Sequence, residues 1–259
     1  MSDLSGKHVL VTGATRGIGL AIACAMLAQG ARVTLLGRNL AALQAVQASL
    51  QAQAQTHVVS ADVADAEQVG AAFASAQAHF GALHILINNA GQAHSAPVLK
   101  TDAALWQQML DVNLTGTLLC TQAALPPMLA GNWGRIINIA STAGLRGYAY
   151  VAAYCAAKHG VIGLTRAVAL EVASKGVTVN AVCPGYCDTD IVQESIARVM
   201  QKTGRSHAEA LAEFVKGNPQ QRLVQPEEVA NSVLWLCSEG ASAITGQSIS
   251  VSGGEVMSA

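Results

Sequence analysis

Charge is scarce in this chain: only 12% of its 259 residues are Asp, Glu, Lys or Arg, about half the share usual in soluble domains. With 51% of residues hydrophobic, so little charge predicts that part of the surface is covered by copies of the same chain. The few charges do not cluster either. Net charge is −1 and no Lys/Arg block occurs, which argues against nucleic acid or an anionic membrane as the main partner. Long apolar runs are also missing, since Gly, Asn or a charged residue interrupts each before it could span a bilayer. Met1 to Lys7 lead into a strand without an apolar signal segment, so a cytoplasmic protein is expected. The six cysteines (24, 120, 155, 183, 187 and 237) are scattered, and only Cys183 and Cys187 lie close together. Neither a disulfide framework nor zinc spacing fits, which predicts reduced thiols and no metal.

What is present is an alternation of Val/Ile/Leu-rich strands with Ala-rich helical stretches. Strands are expected at 8–12, 32–36, 57–61, 83–87, 135–140, 177–182 and 247–251. Such runs are apolar on both faces, so they belong in a parallel sheet covered on both sides. The expectation is one α/β domain over 1–259, a doubly wound, Rossmann-type parallel sheet. Asn39 reads as the N-cap of the second helix, and Asp65 with Gln68 as a capping box for the third.

After the first strand comes Gly13-Ala14-Thr15-Arg16-Gly17-Ile18-Gly19. Three glycines in a strand-to-helix turn let backbone N–H groups approach a pyrophosphate at the positive end of the helix. Their spacing is one residue longer in the first gap than the usual dinucleotide fingerprint. Such glycines also occur for structural reasons alone. Further on, Ser141 ends an apolar strand, and Tyr154 and Lys158 open a long helix. Residues four apart share a helix face, so an ammonium there could lower the phenol's pKa and suit it to proton transfer. Alone, the pair could equally be an exposed Tyr and Lys on an ordinary amphipathic helix.

Thr12 to Gly19, Asn88-Asn89-Ala90-Gly91, Asn113, Ser141, Tyr154-x-x-x-Lys158 and Pro184-Gly185 occur together and in order. The set resembles the single-domain short-chain dehydrogenase/reductase family along essentially the whole chain. That resemblance implies hydride transfer between a nicotinamide cofactor and a carbonyl or secondary alcohol. It implies Tyr154 as general acid/base, Lys158 lowering its pKa while holding the nicotinamide ribose, and Ser141 bonding the substrate oxygen. Asn113 would anchor a water relay from Lys158, although by itself it also reads as a helix-breaking Asn. By the same likeness Gly13, Thr15, Gly17, Ile18 and Gly19 would hold phosphate. Asp62 and Val63 would meet adenine, and Asn89, Ala90 and Gly91 would support the cofactor from below. Pro184, Gly185, Cys187 and Thr189 would meet the nicotinamide end.

The second strand ends Leu35-Leu36-Gly37-Arg38 without a carboxylate. An acid there would bond the ribose hydroxyls and repel a 2′-phosphate. Arg38 and Arg16 suit such a phosphate, so NADP is expected, with NAD possible and both arginines otherwise ordinary surface groups. The polar stretch 191–217 reads as a mobile lid, the insertion as a whole covering about 186–217. His94, Tyr148, Tyr150 and Tyr186 are candidate pocket walls. Substrate readings are a 3-oxoacyl thioester, with CoA preferred to a carrier protein, or a small secondary, cyclic or sugar alcohol. A non-catalytic nucleotide sensor is the remote alternative. For the carrier protein, Lys175 matches a basic position of the family, but 130–133 supplies no cation. Similar proteins are generally tetramers, with interface helices around 106–119 and 161–172.

Overall fold

Strand β1 (His8–Thr12) is buried at every position, and its side chains divide between two cores. The computed structural model describes residues 4–50 and 52–257. Val9 and Val11 point to one face of the sheet and Leu10 to the other, the period of two that a pleated strand imposes. In β4 (Ile85–Asn88), Ile85 and Ile87 join Val9 and Val11, while Leu86 joins Leu10. The first face is covered by α1 (Gly17–Ala28), through Ile22 and Met26, and by α9 (Pro226–Cys237), through Val229, Val233 and Leu236. Leu43 of α2 (Leu40–Ser49) packs there too. The second face is covered by α3 (Ala66–Phe80), α5 (Gly116–Ala130) and α6 (Ala152–Val172), with Phe73, Met128 and Val168 inserted. Each fully buried Leu, Ile or Val contributes about 1.5–3 kcal/mol relative to exposure.

The remaining strands are β2 (Arg32–Gly37), β3 (Thr56–Ser60), β5 (Gly134–Ile139), β6 (Val177–Pro184) and β7 (Ser248–Val251). Their order is β3-β2-β1-β4-β5-β6-β7, with every neighbouring pair parallel. This is the doubly wound sheet expected from the sequence, and the strand positions agree to within a residue or two. The chain builds outward from β1 to β3, then returns to lay β4 on the other side of β1. That reversal opens a crevice beyond the carboxyl ends of β1 and β4, where ligands of such sheets bind.

Local signals hold unevenly. Asn39 caps α2 by accepting from the Ala42 N–H at 3.0 Å. Asp65 caps α3 by accepting from the N–H groups of Glu67 and Gln68. The Gln68 side chain does not close a reciprocal box with the Asp65 main chain. It donates to the Asp65 carboxylate at 2.8 Å and accepts from the Asp62 N–H at 3.0 Å. Asn113 neither breaks nor ends a helix. It lies in a π-turn, Asp111–Thr115, that carries α4 (Ala103–Leu110) into α5.

At the amino end of the sheet His8 is fully buried. Its Nε2 pairs with Thr34 Oγ1 at 2.9 Å and its Nδ1 with the Gly81 carbonyl at 3.0 Å. Burial pushes its pKa down to about 4, and burial lowers His57 and His84 in the same direction. Between pH ~6.5 and ~4 the unfolded chain therefore binds protons that the folded ring refuses. The stability from neutral His8 is complete above that window and is lost as pH falls through it, by up to about 3 kcal/mol. Urea unfolding followed from pH 7.5 to 4 should show this slope, and His8→Gln should flatten it. An unchanged slope in that variant would count against the assignment.

Candidate active site

The β1–α1 turn is fastened to the end of β4. Asn89 Nδ2 donates to the carbonyls of Thr12 and Gly13 at 2.9 and 3.1 Å, and Thr12 Oγ1 accepts from the Asn89 and Ala90 N–H groups. Gly13 has φ +65°, and a Cβ there would stand 3.0 Å from Ala90 Cα and Asn89 Nδ2. A Cβ on Gly19 would run into the Gly13 carbonyl and the Asn89 amide. The glycines are thus required by close packing of the turn. Helix α1 begins without a side-chain cap or an acid in its first turn, whereas α2 and α4 are capped by Asn39 and Asp102. Gly17, Ile18 and Gly19 line the cleft, so the uncapped N–H groups of this turn suit an anion such as a pyrophosphate.

One cavity of about 1040 Å³ runs from this turn across the carboxyl ends of the strands to α7 (Asp190–Thr203) and Phe214 on α8 (His207–Val215). Every catalytic and cofactor residue selected from the sequence lines it. Of the candidate walls, His94, Tyr148 and Tyr186 line it as well. Tyr150 does not: it is 64% exposed, at φ +67°, and its carbonyl accepts from Ala96 N–H. Lys175 is also remote from the cleft, in a 3-10 turn that leads into the start of β6. Sequence reasoning missed Gln92, and it gave 191–217 as a lid without singling out Phe214 or the α7 positions as lining the cleft. None belongs to a motif, and only the fold places them here.

Ser141 follows β5 and caps a short 3-10 turn, Thr142–Gly144, its Oγ accepting from the Ala143 N–H at 3.1 Å. Gly144 lets that turn lie against α6, since a Cβ would sit 2.7 Å from the Lys158 carbonyl. This packing sets Ser141 beside Tyr154. Lys158 is 5% exposed, and its Nζ donates to the Ile139 carbonyl at 2.8 Å while standing 5.7 Å from the Tyr154 ring centre. Burial pulls the amine down to about 8 and pushes the Tyr154 phenol up to about 12, the Ser141 hydroxyl acting against that rise. An amine-acidified phenol was expected. In the protein alone the Tyr154 phenol moves the other way, because loss of water outweighs its neighbours. Asn113 is fully buried, donating to the Gln92 and Met109 carbonyls and accepting from the Gln92 N–H. Its side chain ties the loop after β4 to the π-turn.

Lys158 depresses stability to keep a charge in the cleft. The unfolded chain holds its proton to ~10.5 and the folded one only to about 8, so stability rises with pH across that window. Replacing the amine with a thioether of similar length removes the cost. Lys158→Met should be more stable than wild type at pH 7 by about 1–3 kcal/mol, read by denaturant midpoint, while turnover is lost. Lower stability in that variant would contradict the burial argument.

The two arginines differ. Arg16 pairs with Asp190 at 3.6 Å and Glu194 at 3.8 Å, joining the glycine turn to α7. Arg38 is exposed at the end of β2, lines the cavity and has no ion pair among the described residues. Val63 packs into the space at Gly116, whose Cβ would lie 2.8 Å from Val63 Cγ2.

A nucleotide-type crevice with a phenol, an amine and a hydroxyl gathered at its centre describes an oxidoreductase of the dinucleotide-binding kind. The family model described as short chain dehydrogenase matches residues 7–199. Over 99% of this chain and 100% of its own length, a 3-oxoacyl-[acyl-carrier-protein] reductase of Synechocystis sp. is 42% identical. A D-beta-hydroxybutyrate dehydrogenase of Cupriavidus necator is 40% identical over 98% of this chain and 99% of its own. The crystal structure of a single-substitution variant of actinorhodin polyketide ketoreductase with NADPH superposes with a TM-score of 0.92 at 36% identity, covering 98% and 99% of the two chains. The chain belongs to the short-chain dehydrogenase/reductase family, and it is an oxidoreductase that interconverts hydroxyl and keto groups.

Proposed function

We propose that the protein is an NADP(H)-dependent 3-oxoacyl-thioester reductase of the CoA type, which in reverse is a 3-hydroxyacyl dehydrogenase. The observation that carries this reading is the continuity of the cleft. It joins an uncapped helix start and an arginine without an ion pair among the described residues to Ser141, Tyr154 and Lys158, then to an aromatic end. When bound, the nicotinamide supplies the hydride and, once oxidised, a positive charge. Ser141 accepts from Ala143 N–H and its hydroxyl bonds the Tyr154 phenol, so its proton would turn from that oxygen to the substrate oxygen on binding. Tyr154 gives a proton to that oxygen in reduction and takes it back in oxidation. A phenol held protonated to about pH 12 by burial suits the reductive direction. Lys158 would hold the ribose, and a proton relay would run past the main chain near Asn113, whose amide is already engaged. Arg198 and Lys202 on α7 line the far end and favour a phosphate-bearing thioester such as CoA.

Helices α7 and α8 are read as the lid over about 186–217. Trp106, Leu118 and Leu170 are 41%, 36% and 83% exposed on α4, α5 and α6, the apolar faces that a homotetramer would cover. A cytoplasmic location is part of this proposal; no helix among the described residues is long and apolar enough to cross a membrane. The second reading, oxidation of a small secondary alcohol, is favoured by the relative named D-beta-hydroxybutyrate dehydrogenase. A spectrophotometric panel decides: acetoacetyl-CoA and free ketones, each with NADPH and NADH. Activity confined to free ketones removes the thioester reading, and a higher kcat/KM with NADH removes NADP.

A further inference from the structure

The C-terminal tail reaches the substrate end of the cleft. After β7, Gly253 (φ +61°) lies against the Asn218 side chain and Gly254 (φ +91°) against Pro219, just beyond α8. The Asn218 surface is fixed, with Nδ2 donating to the Arg222 carbonyl and Oδ1 accepting from Gln220 N–H, both at 2.8 Å. The tail thus delivers Glu255 to Tyr148, whose hydroxyl lies 2.6 Å from Glu255 Oε1 and 2.8 Å from Thr142 Oγ1. A phenol has one proton. The carboxylate, nearer and charged, takes it, and the Thr142 hydroxyl donates to the phenol oxygen. Thr142 follows Ser141 directly, so this chain of bonds starts one residue from the reactive centre. The Tyr148 ring stands edge-on to Tyr186, 6.4 Å between centres, and Tyr186 edge-on to Phe214 at 5.2 Å. All three rings line the cavity. The other Glu255 oxygen lies 3.1 Å from where a Gly185 Cβ would be, so the carboxylate sits directly behind the lining of this end. The exposed Arg146 guanidinium lies 4.8 Å over the Tyr148 ring and does not itself line the cavity.

We propose that Glu255 is a positioning and specificity-determining residue. It holds Tyr148 as a wall of the substrate end and places a negative charge behind that wall, so the cleft favours neutral carbonyl substrates over those bearing a free carboxylate. The inference rests on the carbonyl-reductase reading, and its chemistry is simple. A carboxylate ligand brought near Glu255 meets like charge across the Tyr148 wall, whereas an ester or thioester of the same skeleton does not.

The test compares acetoacetate with ethyl acetoacetate, which share a skeleton and differ in charge. Binding to the NADP⁺-loaded protein is measured by calorimetry, a complex in which a ketone cannot be reduced. Wild type should bind the ester more tightly than the acid. Glu255→Gln keeps an acceptor for Tyr148 and removes the charge, so it should improve acid binding about tenfold and change ester binding less than about twofold. Glu255→Asp keeps the charge on a shorter arm, so it should weaken both ligands while preserving the wild-type ratio, an outcome that a purely structural role would not separate from the Gln variant. A ratio unchanged in Glu255→Gln, a wild type that prefers the acid, or no binding of either ligand overturns the proposal. Failure of wild type to reduce any 3-oxo compound would instead strike the reductase reading, which the binding ratio does not probe.

Discussion

Tyr154→Phe should lower kcat for carbonyl reduction by about 10³-fold, within the range that loss of a positioned acid/base gives. The ring and its packing remain, so the melting temperature and the affinity for the dinucleotide should stay near wild type. Ser141→Ala should lose less, because it removes one hydrogen bond to the oxygen and leaves the proton donor in place. The discriminating measurement is single-turnover oxidation of NADPH in both variants. A Tyr154→Phe protein that turns over within a few-fold of wild type would show that the proton comes from elsewhere. The pH profile adds a check. With Lys158 at about 8, the amine is charged below that value and neutral above it. The kcat/KM for NADPH, which reports groups of the free enzyme, should fall as pH rises through 8.

The second large effect is expected at Arg38. Its guanidinium has no ion pair among the described residues and lines the cleft near the glycine turn proposed to hold phosphate, and charge-assisted bonds are worth about 1.5–3 kcal/mol. Arg38→Ala should therefore lower kcat/KM for NADPH by about 10–100-fold and leave NADH within about twofold. Because the side chain is exposed, the NADPH preference should also shrink as salt rises. Arg16→Ala should do less, since Asp190 and Glu194 already compete for that cation. An equal loss with both cofactors in Arg38→Ala would mean the residue serves the shared phosphates, or the fold, rather than a 2′-phosphate.

The sheet was readable because the strands are short stretches rich in Val, Ile and Leu, such as His8–Thr12 and Ile85–Asn88, each separated from the next by helical spacing. The cleft residues were readable because they lie in short motifs at strand ends, where the topology must bring them together. What was not readable has a common cause: contacts between distant segments. Glu255 is 107 positions from Tyr148, and nothing local marks either as the other's partner. The π-turn at Asn113 departs from ordinary helix by one extra residue, and hydrophobic periodicity cannot register that. Tyr150 shows the reverse limit, a loop aromatic that composition offers as a wall and a left-handed backbone turns outward. The direction of the Tyr154 shift depends on how much water the fold removes, and residue spacing does not encode that quantity.

One strand length, about 3.3 Å per residue, separates His8 from the turn that begins after Thr12. Histidines with depressed basicity gather at the near end of the sheet, and the groups proposed to move protons in turnover gather at the far end. Changes so far apart, with no shared partners, combine nearly independently. Tolerance to acid and rate of turnover should therefore be adjustable as two separate dials on the same scaffold.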